Sequence, residues 1–144
     1  MRTKFFINRI QFVTAVILLL MSFTASAAQA DEPVPGGIIS AGNIHSCALK
    51  LDGSIDCWGV NNYGQAEDQS GPYIQVDTGF GHTCALNPNG SVDCWGVNSY
   101  GQTDDQPGPY TQISTSQDHT CAMTPTGAVD CWGANGFGQA EDQP

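Results

Sequence analysis

Three histidines and six cysteines are the residues of this 144-residue chain best suited to chemistry. His45, Cys47 and Cys57 form one set, and His82, Cys84, Cys94 and then His119, Cys121, Cys131 repeat it at a constant step of 37 residues. Two chemistries suit such a trio. An imidazole and two thiolates are good zinc ligands, but a closed structural zinc site takes four and each trio offers three. Alternatively, the two thiols oxidise to a disulfide, the usual fate in an oxidising compartment. As general bases the histidines lack a nucleophile that recurs beside them, so each is expected to be buried and hydrogen-bonded within its own unit, and no catalytic residue is assigned.

Carboxylates recur with the same period. Glu67-Asp68, Asp104-Asp105 and Glu141-Asp142 each sit on a polar loop once per unit. Aligned along one face they would steer or hold cations, with calcium the hard-ion candidate. Calcium takes about 6–8 oxygens, which no single loop supplies, so a solvated loop that keeps the chain soluble is the main expectation and no cofactor is assigned. Tyr63, Tyr100 and Phe137 occupy the turn just before each pair, either as exposed anchors for a partner or as packing over the edge of the unit. Trp58, Trp95 and Trp132 are read as packing between units rather than as stacking platforms.

The elements that must position these residues are all β. In the second unit Tyr73–Asp77, His82–Leu86 and Ser91–Trp95 read as short strands, with Asn87-Pro88-Asn89-Gly90 as a turn between the last two. No window after residue 31 supports an amphipathic helix, and three or four antiparallel strands per unit are expected. A three-residue loop at Leu51-Asp52-Gly53, closing as a type I turn with a bulged glycine, sets the register so that Cys47 faces Cys57. The same register pairs Cys84 with Cys94 and Cys121 with Cys131, at non-hydrogen-bonded positions where side chains stand closest. Each bridge would contribute roughly 2.5–3 kcal/mol by loop-closure entropy.

The N-terminus reads as an address. A basic start (Met1 to Arg9), an apolar run (Phe12 to Phe23) and small residues up to Ala30 form a secretory signal peptide over residues 1–30, cut before Asp31. The apolar run is shorter than a spanning helix requires, so no membrane attachment is expected after cleavage. Residues 31–37 form an extended linker, and the repeats cover 36–72, 73–109 and 110–144. Only Lys50 is basic beyond the first ten residues, against all 14 acids, so residues 31–144 carry a formal charge of −13. That excludes a binder of the nucleic-acid backbone. A period of this length signals a solenoid or propeller whose units cannot bury a core alone.

The motif Gly79-x-x-His82-Thr-Cys-Ala-Leu86, then Gly90-Ser-Val-Asp-Cys-Trp-Gly96, then Asn98-x-x-Gly101-Gln102 resembles the repeat of the regulator of chromosome condensation family. The first unit carries it as His45, Trp58, Gly59, Asn61, Gly64 and Gln65; the third departs at Ser116, where the others have Gly42 and Gly79. The resemblance implies one β-propeller blade per repeat, with complete members closing seven blades, and the paired cysteines are similar to those of exported bacterial members. The family's nuclear role on a small GTPase and chromatin is not carried over to an exported acidic chain. Secreted relatives use the propeller rim to bind proteins.

The expected fold is therefore all-β, with three propeller-type blades of short antiparallel strands and an incomplete ring, either part of a seven-bladed propeller or an open arc. The bare blade faces have three resolutions: the chain is a fragment of a longer repeat array, it associates with other chains to complete the propeller, or its disulfides hold a short arc. The expected function is an exported, periplasmic or secreted, non-catalytic protein-binding module with an unidentified protein partner. The alternative is a cation-binding or envelope-structural repeat protein that uses the acidic loops.

Overall fold

Each unit carries three short runs of β-branched, aromatic and cysteine residues separated by turn residues, and each folds into one three-stranded antiparallel sheet. The computed structural model describes residues 37–144. The expected signal peptide and nearly all of the linker lie outside the described residues. The first sheet holds β1 (Ile38–Ala41), β2 (His45–Leu49) and β3 (Ile55–Gly59). The second holds β4 (Gln75–Thr78), β5 (His82–Leu86) and β6 (Val92–Gly96), and the third β7 (Gln112–Thr115), β8 (His119–Met123) and β9 (Val129–Gly133). In every sheet the strands lie in chain order. A fourth strand is reduced to one residue per sheet: Gln69 bridges Ile55, Gln106 bridges Val92 and Gln143 bridges Val129.

The hairpin register follows from the turn. Lys50 N donates to Ser54 O at 2.8 Å and Gly53 N to Lys50 O at 3.0 Å, leaving Leu51, Asp52 and Gly53 as the loop. Gly53 has φ of 82°, a left-handed conformation that a side chain would strain. Cys47 therefore sits opposite Cys57, with Leu49 opposite Ile55, and the later hairpins repeat this. The first strand of the second unit starts two residues later than the sequence pattern suggests. Tyr73 N donates to Gly53 O at 2.9 Å, so the residue is held by the turn of the preceding sheet rather than by its own.

The sheets share their cores. Cys47, Leu49 and Ile55 of the first sheet pack against Val76 and Ala85 of the second, with Tyr73 and Trp95 closing the edge. Cys84, Leu86 and Val92 meet Ile113 and Ala122 of the third in the same way, closed by Tyr110 and Trp132. Each sheet thus presents two unlike faces, one bearing the cysteines and one bearing alanine and tryptophan. At the inner edge β4 holds both neighbours. Asp77 Oδ1 accepts from Ser40 Oγ at 2.8 Å and Asp77 Oδ2 from Thr115 N at 2.6 Å. The Gln75 amide donates to Ile113 O at 2.7 Å and accepts from Ile113 N at 3.0 Å.

Candidate functional site

The cysteines are joined as Cys47–Cys57, Cys84–Cys94 and Cys121–Cys131. Their sulfurs are bonded to each other, so the hairpins offer histidine but no thiolate to a metal. Three such bridges fit an oxidising environment. His45 and His82 do not bond within their own sheets, contrary to what the sequence leads one to expect; they reach across to the next. His45 Nε2 lies 2.7 Å from Thr83 Oγ1, and His82 Nε2 lies 3.0 Å from Thr120 Oγ1. The single hydroxyl proton of Thr83 goes to Gln65 O at 2.8 Å, and that of Thr120 to Gln102 O at 3.1 Å. Each threonine must therefore accept from histidine, which fixes the neutral imidazole as its Nε2–H tautomer. Burial favours the neutral ring: it lowers the pKa of His45 and brings that of His82 down to about 4. These histidines are structural pins between blades. The threonine in Thr-Cys-Ala was visible in the motif, but its role depends on contact between sheets, which a single unit does not reveal.

The outer loops build the surface that faces outward. In the first, Asn61 Oδ1 accepts from Ala66 N at 2.8 Å and Gln65 Oε1 from Tyr63 N at 2.9 Å. Asn98 and Gln102 clamp the second loop in the same way, at 3.0 Å to Thr103 N and 2.8 Å to Tyr100 N. Asn135 and Gln139 clamp the third, at 3.0 Å to Ala140 N and 2.8 Å to Phe137 N. Gln65 and Gln102 are fully buried, so the clamps are anchored in the body of the protein. The residue held between the clamp points outward: Tyr63 is 67% exposed, Tyr100 60% and Phe137 98%. Packing over the blade edge is thus not what these rings do. They stand at one equivalent position in three successive blades, on loops already fixed in shape.

The acidic pairs divide into two roles. Asp68 accepts from Cys57 N at 2.8 Å, Asp105 from Cys94 N at 3.1 Å and Asp142 from Cys131 N at 2.9 Å. One carboxylate of each pair is therefore spent on capping the outer strand, where an open edge would otherwise expose its amides. Of the others, Asp104 accepts from Asn98 Nδ2 at 3.0 Å, while Glu67 and Glu141 extend from the same loop position. Among the described residues no three His, Cys, Asp or Glu side chains converge in a way that could hold a metal ion. Also among the described residues, no helix is long and apolar enough to cross a membrane.

Three-stranded sheets stacked face to face, each with a clamped outer loop, define a β-propeller blade repeat. The family model described as the regulator of chromosome condensation (RCC1) repeat matches residues 38–65, 73–102 and 110–139, more than half of the chain, and the chain belongs to that family. Among solved structures it is similar to human WBSCR16, with 23% identity and a TM-score of 0.64 over 70% of this chain and 34% of that one. It is also similar to the ectodomain of the receptor kinase CR4 of Physcomitrella patens, with 27% identity and a TM-score of 0.58 over 66% of this chain and 28% of that one. A third is yeast RCC1 (Prp20), solved bound to Kap60, with 16% identity and a TM-score of 0.59 over 74% of this chain and 35% of that one. The chain thus spans about a third of the length of these structures. No curated protein matches it in sequence.

Proposed function

We propose that this chain is an exported, non-catalytic protein-binding module whose partner is gripped by Tyr63, Tyr100 and Phe137. The propeller repeat is a protein-interaction fold, and the observation that carries the reading is the row of exposed rings on loops clamped from within. Exposed aromatics on pre-shaped loops offer large contact area at little ordering cost, the character of binding hot spots. The basic start and apolar run of the N-terminus, together with three disulfides, support export. The acidic surface favours a partner with a neutral or basic face. Two of the similar structures are in accord with this, one being a receptor ectodomain and another solved with a protein bound.

The test is capture from the envelope and medium of the producing cell by the purified chain and by its Tyr63→Ala/Tyr100→Ala/Phe137→Ala variant. The variant is expected to melt within a few degrees of the wild type, since the rings touch solvent. Its affinity for the captured protein is expected to fall roughly tenfold or more per anchor. Equal capture by the variant would overturn the assignment of the rings, and turnover of a substrate by the purified chain would overturn the non-catalytic reading.

A further inference from the structure

Each outer loop sets a carboxylate beside its exposed ring. The order is ring, glycine, glutamine, small residue, acid, and it runs from Tyr63 to Glu67, from Tyr100 to Asp104 and from Phe137 to Glu141. The glycine after each ring has φ of 80°, 79° and 78° in turn, so the chain doubles back directly behind the ring. Glu67 N donates to Gly64 O and Asp104 N to Gly101 O, each at 3.2 Å, which closes the turn. A Cβ on Gly64 would stand 3.2 Å from Glu67 Oε1, one on Gly101 3.1 Å from Asp104 Oδ2, and one on Gly138 3.5 Å from Glu141 Oε1. Aspartate is one methylene shorter than glutamate, yet all three side chains bring an oxygen over the glycine that follows the ring.

These oxygens have no cation within the molecule to meet. Among the described residues no donor reaches the carboxylates of Glu67 and Glu141, and Asn98 holds Asp104 through Oδ1, with Oδ2 over Gly101. Also among the described residues, the single lysine or arginine, Lys50, is paired with Asp56 at 2.8 Å. The middle loop shows what is intrinsic to the surface. Tyr100 is 60% exposed although its blade is packed on both sides, against the first blade through one core and against the third through the other. Its access is therefore independent of any further blade.

An aromatic face and a carboxylate side by side are two halves of a receptor for an organic cation. The ring attracts the cation through its quadrupole, and the carboxylate pairs with it. A planar guanidinium does both at once, stacking on the ring while two of its N–H groups reach the carboxylate; an ammonium is a point charge without that fork. Resting on the reading of these rings as the contact surface, we infer that each outer loop receives one arginine side chain of the protein partner. The partner then carries a row of arginines, one for each blade it touches, and the same carboxylates turn acidic surfaces away. The Asn98 and Gln102 clamps fix the receiving geometry before contact, so little ordering is needed on this side.

The experiment is a titration of the full chain, purified in its exported form with disulfides intact, against a fluorescently labelled oligo-arginine peptide. Anisotropy is followed at about 0.15 M salt, where charges are screened beyond about 8 Å. Oligo-arginine is expected to bind at least about threefold tighter than oligo-lysine of the same length, a preference that general attraction to an acidic surface does not produce. Asp104→Asn and Tyr100→Leu are each expected to weaken the arginine peptide at least about threefold. Asp52→Asn removes the same charge from the turn at the other end of β3 and is expected to change affinity less than about twofold. All three positions are exposed, and Asn89 already makes in the second blade the contacts that Asp52 makes in the first, so the variants are expected to fold, as checked by melting. Absence of binding, equal affinity for the two peptides, or an Asp52→Asn loss as large as that of Asp104→Asn overturns the inference. If it fails in one of these ways while the triple alanine variant still loses the captured partner, the arginine assignment falls and the rings remain the contact surface.

Discussion

Replacing Thr83 with valine removes one oxygen from a site that is otherwise kept in shape. Thr83 is fully buried; its hydroxyl accepts from His45 Nε2 at 2.7 Å and donates to Gln65 O at 2.8 Å. Valine leaves a buried donor and a buried acceptor without partners. The imidazole cannot escape by changing tautomer, because His45 Nδ1 is itself buried with no hydrogen-bond partner. Each orphaned group costs about 1–3 kcal/mol, so Thr83→Val is expected to lose roughly 2–4 kcal/mol of stability. For a domain of this size that corresponds to a fall in Tm of about 10 °C or more. Thr111→Val is the control: Thr111 is exposed, its hydroxyl meets only Met123 O at 3.2 Å, and a change within about 0.5 kcal/mol is expected. Urea unfolding followed by tryptophan fluorescence measures both. If Thr83→Val falls within error of Thr111→Val, the His–Thr–carbonyl chain is not what pins the blades, and the tautomer argument fails with it.

Two further outcomes follow from the same interfaces. Burial depresses the pKa of His82 from 6.5 to about 4, so the folded state binds its proton later than the unfolded chain does. The stabilisation is complete above pH 6.5 and is lost as pH falls toward 4, by at most about 3 kcal/mol. His82→Gln keeps a neutral donor toward Thr120 and should flatten the fall in Tm between pH 7 and 5; an unchanged slope would refute the assignment. The disulfides should also open in order, because Cys47 and Cys84 are fully buried whereas Cys121 is half-buried. Alkylation and mass spectrometry in mild reductant should find Cys121 and Cys131 labelled first, and prior labelling of Cys47 or Cys84 would contradict the packing.

Local features were legible from the residues alone. The loop Leu51-Asp52-Gly53 dictates a register, and the register dictates which cysteines meet, so the three bridges could be read without any knowledge of how the sheets stack. The alternating runs likewise placed β5 and β6 to within a residue. What escaped was whatever one unit does to the next. A repeat with period 37 cannot say whether His45 bonds inside its own sheet or to Thr83, since every unit offers both. Tyr73 looked like strand because its neighbours alternate, yet its amide is taken by Gly53 of the sheet before. The Glu-Asp pairs looked like a single acidic feature, and only the geometry at Cys57, Cys94 and Cys131 separates the capping aspartate from its partner. Ser116 was visible as a departure from the glycine at 42 and 79, and the need for glycine there emerged only from Ser116 O crowding the space that a Cβ on Gly79 would take.

Each bridge joins residues ten apart, and none crosses from one blade to another. A hairpin of that span closes on itself as soon as both of its strands are available, without waiting for distant chain to arrive. A polypeptide threading through a membrane pore into an oxidising space could therefore lock one unit after another as it emerges. No wrong pairing would need correcting, provided each hairpin closes before the next pair of cysteines appears. The locality of the bridges makes the order of synthesis and the order of assembly the same.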